Sequence, residues 1–200
     1  MDERVVGPGH ERASSGAQVN ASCWTGRSQI PDDPGTPDSL GGASIELEGE
    51  ALIPIEVGYT DTADSTILHV PSIGLVAAGD VVYSGVHPFL AETNAQTRLE
   101  WIAALDRLEA LEPRAVVAGH KVPARPDDPR NIAETRECLR DFVRLDEVTD
   151  TPRALFDAMI ARYPDRVNPG SLWGGATSAK ARPGNGSPSA VRPTARHEQR

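Results

Sequence analysis

Apolar and polar positions change character twice along this chain. From Met1 to about Ala43 there is neither helical nor strand periodicity. Gly, Pro, Ser and Asp dominate around an isolated Trp24, and with so little to bury the stretch is read as an extended or disordered lead-in. From Ser44 the pattern organises. Ser44 to Leu47 alternates, Leu52 to Val57 is largely apolar, and Glu48-Gly49-Glu50 between them has turn chemistry, which predicts a hairpin. Thr66 to Val70 and Gly74 to Ala78, joined through Pro71-Ser72, predict a second one.

Helical spacing then takes over. Thr97 to Leu111 lines up Leu99, Ile102, Leu105, Leu108 and Leu111, with Thr97 and Glu100 as a capping box and Pro113 as the stop. Ala115 to Ala118 reads as a short apolar strand. Asp128-Pro129 opens a helix with Ile132, Cys138, Leu139, Phe142 and Leu145 as its buried face. Thr151-Pro152 opens another, burying Leu155, Phe156, Met159 and Ile160 and ending before Pro164. From about Ala176 the chain returns to Pro, Gly, Ser and Ala with scattered basic residues, the composition of a flexible tail. Three regions follow: a lead-in over 1–43, an α/β layered domain over 44–175 without internal repeats, and a tail over 176–200.

Two of the predicted strands end alike, Leu75-Val76-Ala77-Ala78-Gly79-Asp80 and Ala115-Val116-Val117-Ala118-Gly119-His120. In an α/β domain the carboxyl ends of strands are where sites are built, because a glycine permits a tight exit and a rigid strand fixes the side chain that follows. Asp and His brought together there are metal-ligand types. Taken singly, each is equally a turn carboxylate capping backbone N–H groups or a hydrogen-bonded loop histidine.

The run Val57-Gly58-Tyr59-Thr60-Asp61-Thr62, then Asp64-Ser65-Thr66 leading to Val70-Pro71, then Ala78-Gly79-Asp80, and last Val117-Ala118-Gly119-His120-Lys121, resembles the second half of metallo-β-lactamase-fold hydrolases. That family's order is a G-H-T loop, a hairpin, G-D, a helix and G-H. The likeness runs from Trp24, loosely, to Gly175, and is firmest from Ile45 to His120. It implies half of an αββα sandwich and descent from a zinc-dependent hydrolase of a small-molecule substrate. It also implies that Asp80 is the metal-bridging carboxylate and His120 the last histidine ligand. Two departures stand beside it. The family's H-x-H-x-D-H segment has no counterpart, since His10 is the sole histidine before Tyr59, and Tyr59 occupies the position of a ligand histidine. A phenol with a pKa near about 10 is a poor zinc ligand at neutral pH. Catalytic zinc takes about three protein ligands plus water, so the pair Asp80 and His120 falls short, and the metal-bound water that serves as nucleophile falls with it.

Other polar residues read more plainly. His87 is expected to be a surface or hydrogen-bonding loop histidine, and His69 a solvent-face strand residue. Glu92, Asp61 and Asp64 read as solvated loop carboxylates with a possible general-base role, and Lys121 and Arg125 as a charged loop before Pro126.

Composition narrows the partners. Two hundred residues, 38% of them hydrophobic, build one compact domain with tails. A net charge of -9 with no basic cluster argues against nucleic acid and anionic membrane, leaving small molecules or proteins, and a homodimer among the latter. Cys23 and Cys138 form neither a C-x-x-C motif nor a disulfide framework. Neither a signal-peptide core nor a membrane-length apolar run occurs, so a reducing cytoplasm is the expected location. Three readings stay open: a hydrolase whose missing ligands come from elsewhere, a non-catalytic binding or dimerising domain, and a shortened gene product whose opening residues to about Cys23 are foreign to the family.

Overall fold

The computed structural model describes residues 43–181. The lead-in, except its last residue, and most of the expected tail lie outside that range. Five strands form one mixed sheet in the order β1-β2-β3-β4-β5: Ile45–Leu47, Glu50–Gly58, Ser65–Val70, Leu75–Ser84 and Ala115–Lys121. The first three junctions are formed by neighbours in sequence and are antiparallel. The first is the expected hairpin, with Glu48 and Gly49 both at left-handed φ, the backbone that suits the twist of paired strands. The third, between β3 and β4, is the other expected hairpin and closes through a short 3-10 turn, Pro71–Ile73.

β4 and β5 are parallel, with α1 (Ala95–Glu109) as the crossover between them. The two similar sequence runs are therefore side by side and point the same way. Both strands are longer than the patterning predicts, running past Asp80 to Ser84 and past His120 to Lys121. Gly79 and Gly119 thus mark a kink in continuous strands and not their exits. The register shifts there, between Ala77 and Gly79 and again before Tyr83, as at a bulge that re-aims a side chain.

α1 and α2 (Arg130–Val148) cover one face of the sheet, and Val57, Ile67, Val76 and Val116 meet Trp101, Leu105, Leu108 and Phe142 in the core. The start of α1 differs from expectation. Asn94 is the cap and pairs reciprocally with Thr97, so the helix begins earlier and its buried face rotates onto Arg98, Trp101, Ala104, Leu105 and Leu108. Leu99 is left 53% exposed. Trp101 decides that rotation, because its indole N–H donates to Val81 O at 2.9 Å and only the core has room for its ring. α2 and α3 (Pro152–Arg162) follow the predicted signals, with Asp128 accepting from the Arg130 N–H and Thr151 from the Ala154 N–H.

A fourth helix, α4 (Pro169–Ala181), crosses the boundary where the tail was expected to begin, and Ala176 is fully buried. Its glycines hide it from propensity, yet Gly175 is there for packing: a Cβ would stand 2.8 Å from Leu90 Cβ. Lys180 on α4 pairs with Asp146 of α2 at 2.7 Å, and the same carboxylate takes the buried Arg98 of α1 at 3.0 Å.

Candidate functional site

At the kink in β4, Gly79 adopts φ +52, a left-handed backbone that turns the following side chain off the sheet. Next to it β5 comes so close that a Cβ on Gly119 would stand 2.6 Å from the carbonyl carbon of Gly79 and 2.8 Å from the Asp80 nitrogen. These two glycines let Asp80 and His120 leave neighbouring strands toward each other. His120 Nε2 lies 3.5 Å from Asp80 Oδ1, with side-chain exposures of 57% and 44%. The imidazole stacks on the ring of Tyr83, centroids 5.4 Å apart at 20°.

Tyr83 is itself fixed from below. Its backbone N–H donates to Thr135 Oγ1 on α2 at 3.1 Å, and the next residue, Ser84, bonds Asn131 Oδ1 at 2.9 Å. The phenol is 2% exposed and its O–H finds no acceptor among the described residues. Burial pushes the hydroxyl's pKa up, and the carboxylates of Asp61 and Asp80 push it further. The Phe89 backbone N–H opposes the rise only in part, so the phenol stays protonated.

Asp80, His120 and Tyr83 line a cleft of about 320 Å³ with Asp61, Phe89, Asn168 and Ser171. Asn168, at left-handed φ, and Ser171 begin α4, so the helix that patterning missed forms one wall. Asn168-Pro169 carried a start signal for it, a capping type followed by a first-turn proline. Tyr83 and Phe89 gave no signal beyond their apolar setting.

The loop between β2 and β3 brings Asp61 to the cleft but not Tyr59. The Tyr59 hydroxyl donates to the Glu92 carbonyl at 2.9 Å, and the ring does not line the cleft. Asp61 is 7% exposed, and its Oδ1 accepts from Thr60 Oγ1 at 3.0 Å and from the Thr62 N–H at 2.9 Å. Burial raises its pKa, the Thr60 hydroxyl opposes this, and the charge of Asp80 adds to the rise. The expectation of a solvated carboxylate is corrected for Asp61, which is buried by its own turn.

His87 is also corrected. Fully buried, it has neither ring nitrogen hydrogen-bonded among the described residues, and burial, then the neighbouring Arg166 charge, lower its pKa to about 4. It lies in the segment after β4 that pairs with the start of the α4 wall through the Val86–Val167 bridge and the His87 N–H to Val167 O bond. His69 is half-buried, in register with buried Val76 and so on the helix-covered side. Lys121 and Arg125 are engaged by Asp127 and Glu134, and Glu92 and Asp64 are exposed outside the cleft.

A zinc ion needs about three or four converging donors. Among the described residues no group of three His, Cys, Asp or Glu could hold a metal ion. Asp80 and His120 converge as a pair, Asp61 has committed an oxygen to its turn, and Tyr59 is turned away, so these residues do not fit a resident zinc.

The sequence profile of the metallo-beta-lactamase superfamily matches residues 5–120, more than half of the 200-residue chain. This chain belongs to the metallo-β-lactamase superfamily. The match starts at residue 5, so the expectation that likeness begins only at Trp24, after foreign opening residues, is corrected. No curated protein matches the chain. Among solved structures, a metallo-beta-lactamase family protein from Thermus thermophilus is similar at 19% identity and a TM-score of 0.51, over 84% of this chain and 58% of that one. A beta-lactamase domain protein from Burkholderia ambifaria is similar at 15% identity and a TM-score of 0.52, over 85% of this chain and 53% of that one. The chain therefore spans little more than half the length of these superfamily structures, and the likeness is one of fold. The α/β class and the superfamily expected from sequence both hold. Among the described residues no helix is long and apolar enough to cross a membrane.

Proposed function

We propose that this protein descends from a zinc-dependent hydrolase of a small-molecule substrate, that its hydrolytic step is impaired, and that its cleft keeps the capacity to bind a small molecule. One observation carries the reading: Asp80 and His120 still converge, at 3.5 Å, while the side chain at the third ligand position, Tyr59, bonds the Glu92 carbonyl outside the cleft. The scaffold of the site outlives its coordination. Asn168 and Ser171 in the α4 wall offer polar contacts to a ligand of a few heavy atoms, which is what about 320 Å³ admits.

The test uses the whole chain. Zinc is titrated against a chelating dye, and hydrolysis of a lactone, a lactam and a thioester is followed with and without the metal. Weak zinc uptake, reduced further in Asp80→Ala, with no zinc-stimulated turnover is expected. Stoichiometric zinc with turnover that is lost in Asp80→Ala would overturn the reading.

A further inference from the structure

A second cavity, of about 580 Å³, lies on the helix side of the sheet and shares no residue with the cleft of Asp80 and His120. One wall is a single face of α2, where Arg130, Ala133, Glu134 and Glu137 follow at helical spacing. The other is the segment that leaves α3, from Arg162 to Arg166. Gly85, just past β4, also lines it, at φ +71, and a Cβ there would stand 2.7 Å from Arg125 Cδ, so the arginine stem lies against bare backbone.

The charges in this cavity are only partly matched. Three of its four guanidiniums face a carboxylate: Arg125 meets Glu134 at 2.5 Å, Arg130 meets Asp128 at 2.6 Å and Arg162 meets Asp141 at 2.9 Å. Arg166 has no carboxylate partner among the described residues. Half-buried, it donates through Nη1 to Val86 O at 2.8 Å and through Nη2 to Glu134 O at 2.9 Å, and it lies over the Tyr163 ring, 5.0 Å from the centroid. Those contacts fix the guanidinium and leave some of its N–H donors unused. Two acids are open in the same way, since Glu137 and Asp165 are exposed and pair with no cation among the described residues.

We propose that this cavity binds a small zwitterion of the apolar α-amino-acid class, its carboxylate toward Arg166 and its ammonium toward Glu137 and Asp165. An anion alone would meet two open carboxylates. A cation alone would leave the half-buried guanidinium without a counter-charge, which is costly away from water. One molecule with both charges answers all three groups and adds no net charge. Ala133, Pro164 and the Tyr163 ring supply an apolar lining for its side chain, and the volume falls within the range of small-molecule sites, about 300–1,000 Å³. The Tyr163 hydroxyl donates to Asp141 Oδ2 at 2.7 Å, so the ring is set before a ligand arrives.

Isothermal titration of the whole chain with L-leucine tests this, beside isocaproate, which lacks the ammonium, and isoamylamine, which lacks the carboxylate. L-leucine is expected to bind with a Kd of about 1 mM or below. Each analogue should bind about tenfold or more weakly, the loss of one charge-assisted hydrogen bond. The double variant Glu137→Gln with Asp165→Asn changes exposed positions and should keep its far-UV circular dichroism. It is expected to weaken L-leucine about tenfold while isocaproate binds no more weakly than before. The inference is overturned by the absence of saturable heat with L-leucine, by equal affinity for all three ligands, or by an affinity for L-leucine that the double variant leaves unchanged.

Discussion

Two neighbouring parts of the cleft hold their side chains in different ways, and the contrast shows which of them can change without disturbing the backbone. In the loop between β2 and β3 the backbone frame is intact: Thr60 bonds Asp61 and lies 2.5 Å from Ser65 Oγ, and the Thr60 N–H reaches Thr62 O. None of those bonds involves residue 59, so the frame does not depend on the side chain that stands there. At the kink of β4 and β5 the frame and the functional pair cannot be separated. Gly79 and Gly119 shape the strands, and Asp80 and His120 are the residues directly after them. A loop that is hydrogen-bonded through its own small residues tolerates exchange of a neighbouring side chain, whereas a strand kink does not.

The sharpest way to break the comparison is Gly119→Ala. Its methyl meets backbone of β4, which cannot step aside, and not only the movable Asp80 carboxylate. A loss of about 3 kcal/mol in denaturant unfolding is expected, at the upper end for overpacking. A stable Gly119→Ala protein would show that the strands have slack.

A second, somewhat smaller effect belongs to the segment that buttresses the α4 wall. His87 has its pKa lowered from 6.5 to about 4 in the folded protein. Between those values the unfolded chain takes up the proton and the folded one does not, so stability falls as pH drops from 6.5 toward 4. The full loss is about 3 kcal/mol or less. Thermal melts across that window, compared with His87→Leu, check this. An unchanged slope in the variant would assign the pH dependence to other groups.

The smallest effect is in the loop. Tyr59→His loses the bond to Glu92, worth about 1 kcal/mol, and leaves the Thr60 and Ser65 frame alone. Zinc uptake should rise only modestly, since the imidazole joins a pair of donors and not a complete set. Tight binding in this variant would mean that residue 59 alone had emptied the site.

Much of this was legible in the chain because the relevant forces are local. Hairpin turns, proline starts and the repeated apolar-Gly-Asp and apolar-Gly-His runs depend on a few adjacent residues, and they marked the strands, two helices, Asp80 and His120. The frame of α1 was not, because Asn94 and Trp101 outweigh the leucine spacing only when the core is present to receive the indole. α4 was missed because its glycines serve contact with Leu90, a reason absent from helix propensity. Asp61 and His87 looked like solvated loop groups because burial is a property of what folds over them.

Sequence by itself determined the superfamily, the α/β class and the two residues that still face each other, since short motifs encode backbone turns directly. Only the tertiary structure decided that the Tyr59 hydroxyl reaches the Glu92 carbonyl, that the Tyr83 ring is buried beneath His120, and that α4 forms a wall of the cleft. Each of those depends on distances between segments far apart in the chain, which no local pattern records.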